Sequence, residues 1–322
     1  MIHQLHAAWR ARRVLLIGGK DRAVLFMQTL LDELGAKTAR LAPGFHAETL
    51  HRSLTEGRVS AVIVPCMRTF KQGCVTTQLS ALITLLSEAR EAGVPLVILM
   101  SDENVYRAFY HPWHAQETDP IGGETPQGLI QSILDLYAGG VSRGLCGDPV
   151  SVQIMRHLPC LGCGHPAVAQ YSAWCEAAEN NDALEVQHPG LQGVFVHPLD
   201  VCCGALLLGA RFLLGDTSCT GAFNLGACSE NLIPNRTASL RFTRRLGVTR
   251  PIREAEPPLS AVLPLLDGTK ARLLCGARCH ISGEEALMQL FFLEQTYEAN
   301  FSMVDQEIKA QVHAYLKYIS EQ

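Results

Sequence analysis

Short, fully apolar runs alternate with longer amphipathic segments through the first half of the chain, and this alternation restricts the fold more than any other feature. The run Val14–Ile17 is followed by helical periodicity over residues 22–34, which stops at Gly35. Such runs are typical of parallel strands buried on both faces, and the segments between them are typical of crossover helices. The alternation continues with strand candidates at 38–41, 59–64, 95–100 and 150–155 and helix candidates at 77–92 and 127–137. The sequence therefore predicts an α/β protein with a parallel sheet.

The second half of the chain is less regular, with loops rich in glycine, proline and cysteine after residue 156. The pattern predicts a strand and a helix over 194–214, a strand end at 223–226 and a helical segment over 283–319. Residues 250–258 are charged and rich in proline, which is typical of a linker. A chain of 322 residues is long enough for one large α/β domain or for two lobes that share a core.

Charge and hydropathy exclude two classes of partner. The net charge of −4 and the pI near 6.3 give no basic footprint for nucleic acid, and the arginines between 236 and 245 have the spacing of a solvated helix face. The N-terminal residues contain no apolar stretch of signal-peptide length, and the run 205–214 contains Arg211 and is too short to span a bilayer. We expect a cytoplasmic protein that binds neither nucleic acid nor membrane.

The chain has 12 cysteines, a large number for a protein expected in the cytoplasm. Cytoplasmic thiols stay reduced, so we expect no disulfide framework. Cys160 and Cys163 have the spacing of a metal or redox pair, and His157 and His165 flank them. A structural zinc site normally needs two such pairs or two histidines at tight spacing. Buried, unreactive thiols are therefore the preferred interpretation, and a metal site at Cys160 and Cys163 is the alternative.

Six segments, in the same order and at similar separations, resemble one enzyme family. Residues 195–201 read Phe-Val-His-Pro-Leu-Asp-Val, and residues 117–123 read Glu-Thr-Asp-Pro-Ile-Gly-Gly. The other segments are the helix and strand over 86–101, the turn 101–106 that ends in Val-Tyr, and the stretches 222–226 and 266–276. Together they resemble the extended short-chain dehydrogenases/reductases, in particular the NAD-dependent nucleotide-sugar epimerases and dehydratases. Among these, the CDP-glucose 4,6-dehydratases look most similar.

The resemblance implies a Rossmann-type, doubly wound parallel sheet with a smaller C-terminal substrate lobe. Residues 1–150 and 193–226 would form the Rossmann-like cofactor domain, and residues 151–192 and 227–322 would form the smaller lobe. The family commonly dimerises through two helices. These helices correspond to 77–92 and 127–137 in this chain, so the resemblance also implies a homodimer.

The loop after the first strand departs from the family's Gly-x-x-Gly-x-x-Gly. In that pattern the first glycine makes the turn, the second lets the backbone approach the pyrophosphate, and the third lets the helix pack closely. Gly18 keeps the first position, but Asp21 and Val24 stand at the second and third. Asp21 would place a negative charge beside two phosphates, and Ala42 stands where an acid should bind the adenosine ribose. Gly18 and Gly19 remain as candidate cofactor contacts.

The resemblance places the catalytic positions at Ser101, Gln127 and Gln131. The family uses a tyrosine as base and a lysine four residues later to lower the pKa of that tyrosine. Gln127 and Gln131 stand at these two positions, and glutamine has no titratable proton. Ser101 keeps the place of the family's Ser/Thr, which hydrogen-bonds the reacting oxygen. Tyr106 and Tyr110 are candidate substitute phenols.

On the substrate side, the resemblance points to Arg156 and His197. The asparagine of the family's Arg-x-x-Asn is replaced by Pro159, and the arginine that precedes Phe-Val-His is missing at 193–194. Two usual contacts to substrate are therefore absent. In relatives the histidine at 197 mainly helps to build the junction between sheet and helix, so a structural role is the preferred interpretation.

These departures favour a non-catalytic relative that keeps the fold as a ligand-binding or assembly module. Such a module would use no cofactor, and its partner would be a second copy or another protein. The alternative is a nucleotide-sugar epimerase or dehydratase with a rearranged active site, which would use Ser101, Tyr106 or Tyr110 and bind NAD or NADP. A thiol or metal site around Cys160 and Cys163 is a third hypothesis.

Overall fold

The computed structural model describes residues 1–19, 21–67, 75–107, 113–145, 147, 149–160, 169–247, 251–255, 265–299 and 301–321. The strands are β1 Arg13–Ile17, β2 Lys37–Leu41, β3 Ala61–Val64, β4 Val97–Asp102, β5 His114–Ala115, β6 Val152–His157, β7 Leu184–Gln187, β8 Gln192–Val194, β9 Gly221–Leu225, β10 Leu232–Pro234, β11 Ile252–Ala255 and β12 Leu265–Leu266. The helices are α1 Ile2–Trp9, α2 Arg22–Glu33, α3 Ala47–Thr55, α4 Val75–Glu91, α5 Pro126–Ser142, α6 Ala169–Glu179, α7 Pro198–Leu213, α8 Asn235–Arg245, α9 Thr269–Cys275, α10 Gly283–Ala299 and α11 Phe301–Ser320.

The centre of the fold is a six-stranded parallel sheet in the order β2-β1-β3-β4-β6-β9. The chain runs outward from β1 in both directions, which is the doubly wound arrangement of Rossmann-type folds. The prediction of such a sheet is therefore confirmed. Because the strands are parallel, the carboxyl ends of β4, β6 and β9 lie side by side at one edge.

Helices cover both faces of this sheet. Successive residues of a strand point to opposite faces, and Val14 and Leu16 of β1 accordingly join one core while Leu15 and Ile17 join another. The first core includes buried residues of α1, α2, α7 and α11, and the second includes buried residues of α3, α4 and α5. None of the helices in the described part of the chain is long and apolar enough to cross a membrane.

A third core lies in the smaller lobe, where α6, α8 and α10 pack around a group of aromatic side chains. Two short strand pairs, β8 with β10 and β7 with β11, complete it. The sequence division assigns residues 151–192 to this lobe. However, β6 pairs in parallel register with both β4 and β9, so residues 152–157 belong to the central sheet.

Residues 283–319 form two helices rather than one continuous helical segment. α10 ends at Ala299 and α11 begins at Phe301. Leu287 of α10 is buried in the core of the smaller lobe, whereas Ile308 of α11 is buried in the core beside the central sheet. Most buried residues of α10 thus belong to the core of the smaller lobe and those of α11 to the core beside the central sheet, which Leu293 of α10 also joins.

Helix α1 was not predicted, because eight residues give little periodicity. It packs on α7, where the Trp9 indole Nε1 donates a hydrogen bond to the Leu206 carbonyl at 3.0 Å. Gly209 makes this approach possible, since a Cβ at that position would lie only 2.7 Å from Trp9 Cζ2. The linker-like stretch 250–258 contains β11, and residues 250 and 256–258 lie outside the described part of the chain.

Two buried titratable side chains hold the start of α7. His197 caps this helix, and its Nδ1 accepts a hydrogen bond from the Leu199 N–H at 3.0 Å. Asp200 accepts hydrogen bonds from the N–H groups of His280 and Ile281 at 2.8 and 3.1 Å. Burial lowers the pKa of His197 to about 3 and raises the pKa of Asp200 to about 7.

The buried cap predicts how stability changes with pH. The folded-state pKa of His197 lies below its ordinary value, so its contribution is present above about pH 6.5 and is lost as the pH falls. His197→Asn keeps an acceptor at the cap and removes the titration. We expect this variant to lose less stability than the parent chain between about pH 7.5 and about pH 5, as measured by urea unfolding.

The exposed residue His3 offers the matched control, and His3→Asn should lose stability with falling pH as the parent chain does. Equal losses in the His197→Asn variant and the parent chain would contradict the prediction.

Candidate functional site

Three side chains stand next to one another at the carboxyl ends of the central strands. Ser101 of β4 is paired in register with Arg156 of β6, and Arg156 is paired with Asn224 of β9. Side chains at one register position of neighbouring parallel strands point to the same face of the sheet. Because Arg156 reaches a side chain of α5, all three residues face that helix.

Helix α5 presents a stripe of polar residues to these three side chains. Gln127, Gln131 and Asp135 follow one another at intervals of four residues, a spacing that places them on one face of the helix. Gln131 has no exposed surface and Asp135 is 2% exposed, so the stripe faces inward. The predicted catalytic positions therefore lie where β4 and α5 face each other, with Ser101 on the strand and Gln127 and Gln131 on the helix.

An ion pair between Arg156 and Asp135 joins the sheet to α5. The guanidinium Nε and Nη2 atoms donate to the two carboxylate oxygens of Asp135 at 2.9 and 2.7 Å. Burial alone would lower the pKa of Arg156, but the hydrogen bonds and charge of Asp135 outweigh burial and raise that pKa. Both ends of the bidentate pair are buried, so Arg156 is neutralised within the protein.

Tyr106, one of the two candidate substitute phenols, completes this network. Its hydroxyl accepts a hydrogen bond from Arg156 Nη1 at 2.8 Å and donates one to Asn224 Oδ1 at 2.8 Å. Asn224 in turn donates to the Ala115 carbonyl through Nδ2 and to Glu117 Oε1 through its backbone N–H. Burial raises the pKa of Tyr106 in spite of the nearby Arg156, so the phenol stays protonated at neutral pH. Tyr110 lies outside the described residues.

Neutral groups supply part of the remaining hydrogen-bonding capacity between β4 and α5. Ser101 Oγ, Gln127 Nε2 and both amide atoms of Gln131 have no hydrogen-bond partner among the described residues. None of these groups exchanges a proton near neutral pH. At the positions where the resemblance expects a base and its lysine, the site offers only amide donors and an amide acceptor.

In the loop after β1, the side chain of Val24 packs against Gly18. Gly18 donates its N–H to the Leu41 carbonyl at 3.0 Å, and a Cβ at Gly18 would collide with Val24 Cγ2. Val24 has no exposed surface, so its side chain fills the space above the turn. Asp21 stands exposed at the N-terminus of α2. A Cβ at Gly19, the other candidate cofactor contact, would lie 3.6 Å from an Asp21 carboxylate oxygen.

These residues fit NAD poorly. Asp21 places a carboxylate at the N-terminus of α2, where a pyrophosphate needs positive potential, and the buried Val24 stands where the family's third glycine lets the helix pack closely. β2 ends at Leu41, and the exposed Ala42 behind it has no side-chain acceptor for a ribose hydroxyl.

The remaining predicted residues do not gather into a site. His197 caps α7, as the structural interpretation expects, and its imidazole packs edge-on against Phe26 at 5.3 Å between ring centroids. Cys160 is buried next to Val196, whereas Cys163 lies outside the described residues. Burial raises the pKa of each buried thiol for which a shift is resolved, including those of Cys203 and Cys279. These thiols are therefore protonated and unreactive at neutral pH.

Within the described ranges, the group of side chains that could hold a metal ion lies elsewhere, on α3 and α4. It consists of His51, Glu88 and Glu91, with donor atoms within 4.8 Å of one another. His51 and Glu88 already form a surface ion pair at 2.7 Å. These residues were not predicted, and they belong to a solvated surface rather than to the site at the strand ends.

Sequence reasoning also missed three residues that organise the site: Asp135, Glu117 and Asn224. Asp135 could have been found, because it is the one charged residue on the inward stripe that begins at Gln127. Asn224 matches a family motif that gives it no role, and its partners lie more than a hundred residues away along the chain.

No protein-family model and no curated protein matches this sequence. Solved structures match its fold over nearly the whole chain. An epimerase from Methanothermobacter thermautotrophicus matches with a TM-score of 0.75 at 16% identity, over 95% of this chain and 97% of the epimerase.

Two further matches are enzymes solved with NAD. The dTDP-glucose 4,6-dehydratase from Streptomyces venezuelae, solved with NAD and TYD, matches with a TM-score of 0.69 at 18% identity, over 92% of this chain and 100% of the enzyme. The UDP-glucose 4-epimerase from Thermus thermophilus, solved with NAD, matches with a TM-score of 0.68 at 16% identity, over 87% of this chain and 98% of the enzyme. The chain therefore has the fold of the nucleotide-sugar epimerases and dehydratases of the extended short-chain dehydrogenase/reductase type.

Proposed function

We propose that this chain is a non-catalytic relative of the NAD-dependent epimerases and dehydratases, which keeps their fold as a ligand-binding or assembly module. One observation carries the proposal. Gln127 and Gln131 stand on the inward stripe of α5 at the positions where the resemblance expects a tyrosine base and its lysine, and glutamine can neither take up nor release a proton there. The reaction therefore has no base at the position from which the fold would supply it.

The state of the other candidate groups supports the same proposal. Tyr106 is held between Arg156 and Asn224, and its pKa is raised by burial, which is opposite to what a general base requires. A phosphate could engage Arg156 only by displacing Asp135. Breaking a buried ion pair costs about 3–5 kcal/mol, so Arg156 is a poor anchor for a nucleotide-sugar.

The second candidate function is a nucleotide-sugar epimerase or dehydratase with a rearranged active site and NAD or NADP as cofactor. The observation that favours it is the unpartnered hydroxyl of Ser101, which faces α5 at the carboxyl end of β4. A serine at this place could bind a reacting oxygen. Such an enzyme would still need a base. The loop after β1, where Val24 packs against Gly18, also departs from the loop that binds the cofactor in the family.

Calorimetric titration with NAD, NADH, NADP and NADPH separates the two candidates. We expect no heat of binding at millimolar cofactor, because the Asp21 carboxylate at the start of α2 repels phosphate and the loop lacks the second glycine that lets the backbone approach it. The T. thermophilus epimerase, titrated in the same buffer, is the positive control. Micromolar affinity for any of the four would contradict the proposal, and turnover of nucleotide-sugars should then be measured.

The unpartnered amide of Gln131 gives a test that needs no ligand. Gln131→Met has a similar volume and removes two buried polar atoms without partners among the described residues. Because each such group destabilises a fold by about 1–3 kcal/mol, we expect this variant to raise the free energy of unfolding by at least about 1 kcal/mol.

Gln153 is the matched control, since its Nε2 is equally buried but donates to the carbonyls of Leu208 and Cys219. Gln153→Met should destabilise the protein. If both substitutions destabilise it equally, Gln131 has structural partners and the interpretation of the stripe is wrong.

We also propose that two copies pack through α4 and α5, the helices that contain the predicted dimer segments 77–92 and 127–137. Ile83, Leu129 and Leu136 expose 40%, 52% and 56% of their surfaces on these adjacent helices. The apolar faces of two neighbouring helices would be covered if each met its counterpart in a four-helix contact.

Light scattering tests this contact. The parent chain should have the mass of a dimer, and Leu129→Glu with Leu136→Glu should reduce it to a monomer, because two buried charges would face each other. Leu240→Glu changes an equally exposed leucine on α8 and should leave the dimer intact. A monomeric parent chain would contradict the prediction and turn the search toward a different protein partner.

A further inference from the structure

A separate groove lies between the two C-terminal helices and the loop that precedes them. Its volume is about 430 Å³, within the range of about 300–1,000 Å³ typical of small-molecule sites. The loop residues 280–282, the first turns of α10 and the second half of α11 form its walls, and Glu230 lies at its edge. None of the residues discussed for the strand-end site lines it.

Three aromatic rings line one side of this groove. The imidazole of His280 lies edge-on to Tyr315 and Tyr318, with 6.1 and 6.2 Å between ring centroids. Tyr318 is 45% exposed, so its ring is open to an incoming ligand. The faces of tyrosine rings carry negative potential, and they attract cations within about 6 Å.

The groove is built on a buried carboxylate, which fixes its walls. Asp200 has no exposed surface and binds the N–H groups of His280 and Ile281 from below. It also accepts a hydrogen bond from the Tyr315 hydroxyl at 3.0 Å. Asp200 therefore fixes both the loop and Tyr315 in place, so a ligand does not have to order them when it binds.

The formal charges that line the groove are negative. Glu230 and Glu285 are its ionised residues, and no lysine or arginine is among the described residues that line it. Arg245 pairs with the partly exposed Glu285 at 3.2 Å, and Glu230 is exposed at the edge of the groove. The N-terminus of α10 would favour an anion, but Glu284 and Glu285 already occupy its first turn.

We propose that this groove binds a small organic cation, of the alkylammonium class, between the exposed ring of Tyr318 and the carboxylate of Glu230. The Tyr318 ring would receive the alkyl groups and the charge of the ligand, and the carboxylate would complete its neutralisation. The proposal is independent of the non-catalytic function, because the groove shares none of its lining residues with the strand-end site.

Choline and its uncharged carbon isostere, 3,3-dimethylbutan-1-ol, test the proposal on the full chain. The two probes have the same shape and differ in charge. We expect saturable binding of choline, followed by ligand-observed NMR, and binding of the alcohol weaker by about tenfold. Tyr318→Leu should weaken choline binding, whereas Tyr318→Phe keeps the ring and should bind like the parent chain. Glu230→Gln should weaken choline binding and leave the alcohol unchanged.

Three results would overturn the proposal. Equal affinity for choline and the alcohol would mean that the groove selects apolar shape rather than charge. Unchanged choline binding in the Tyr318→Leu and Glu230→Gln variants would place the cation elsewhere. Absence of saturable choline binding by a folded parent chain would show that the groove is not an ammonium site.

Discussion

The ion pair between Arg156 and Asp135 is the contact on which the arrangement of the strand-end site depends. It joins β6 of the central sheet to α5, and both side chains are almost fully buried. A buried pair of this kind contributes little net stability but strongly penalises the loss of either partner. The ion pair therefore fixes the position of Arg156. Arg156 orients Tyr106 through a hydrogen bond, and Tyr106 orients Asn224 in the same way. The inward stripe of α5 is held against the sheet by the same contact.

The network pairs two of the charged groups at the strand ends inside the protein. Arg156 is paired with Asp135, and Glu117 accepts a hydrogen bond from the backbone of β9. Between β4 and α5, one hydroxyl and the amides of two glutamines have no hydrogen-bond partner among the described residues. The C-terminal groove differs, because its buried carboxylate supports the walls while Glu230 remains exposed at the edge.

The sequence predicts the central sheet well because local signals mark it. Val14–Ile17 is a buried strand in both periodicity and structure, and the helix that follows ends before Gly35, whose φ of +80° suits a glycine. The same signals cannot predict that α10 ends and α11 begins near residue 300, since the break between them depends on which core the buried residues of each helix join. Helix α1 escapes for a related reason, because its anchor on Leu206 lies far along the chain.

The site divides in the same way. Family motifs single out Ser101, Gln127 and Gln131 because each motif is continuous along the chain, and the structure has these residues on β4 and α5. The roles of Asp135 and Asn224 depend on partners on other strands and loops, so no local pattern reveals them.

The burial of Val24 affects how readily this chain could acquire the glycine of a cofactor loop. Val24 is fully buried against Gly18 and helps α2 to pack on the sheet. Changing it to the glycine of a cofactor loop would empty a packed space and add glycine to a helix, at a combined cost of about 2 kcal/mol or more. That loss would be felt before any nucleotide could bind and compensate for it. Acquiring the glycine of a cofactor loop at this position would therefore pass through a less stable sequence.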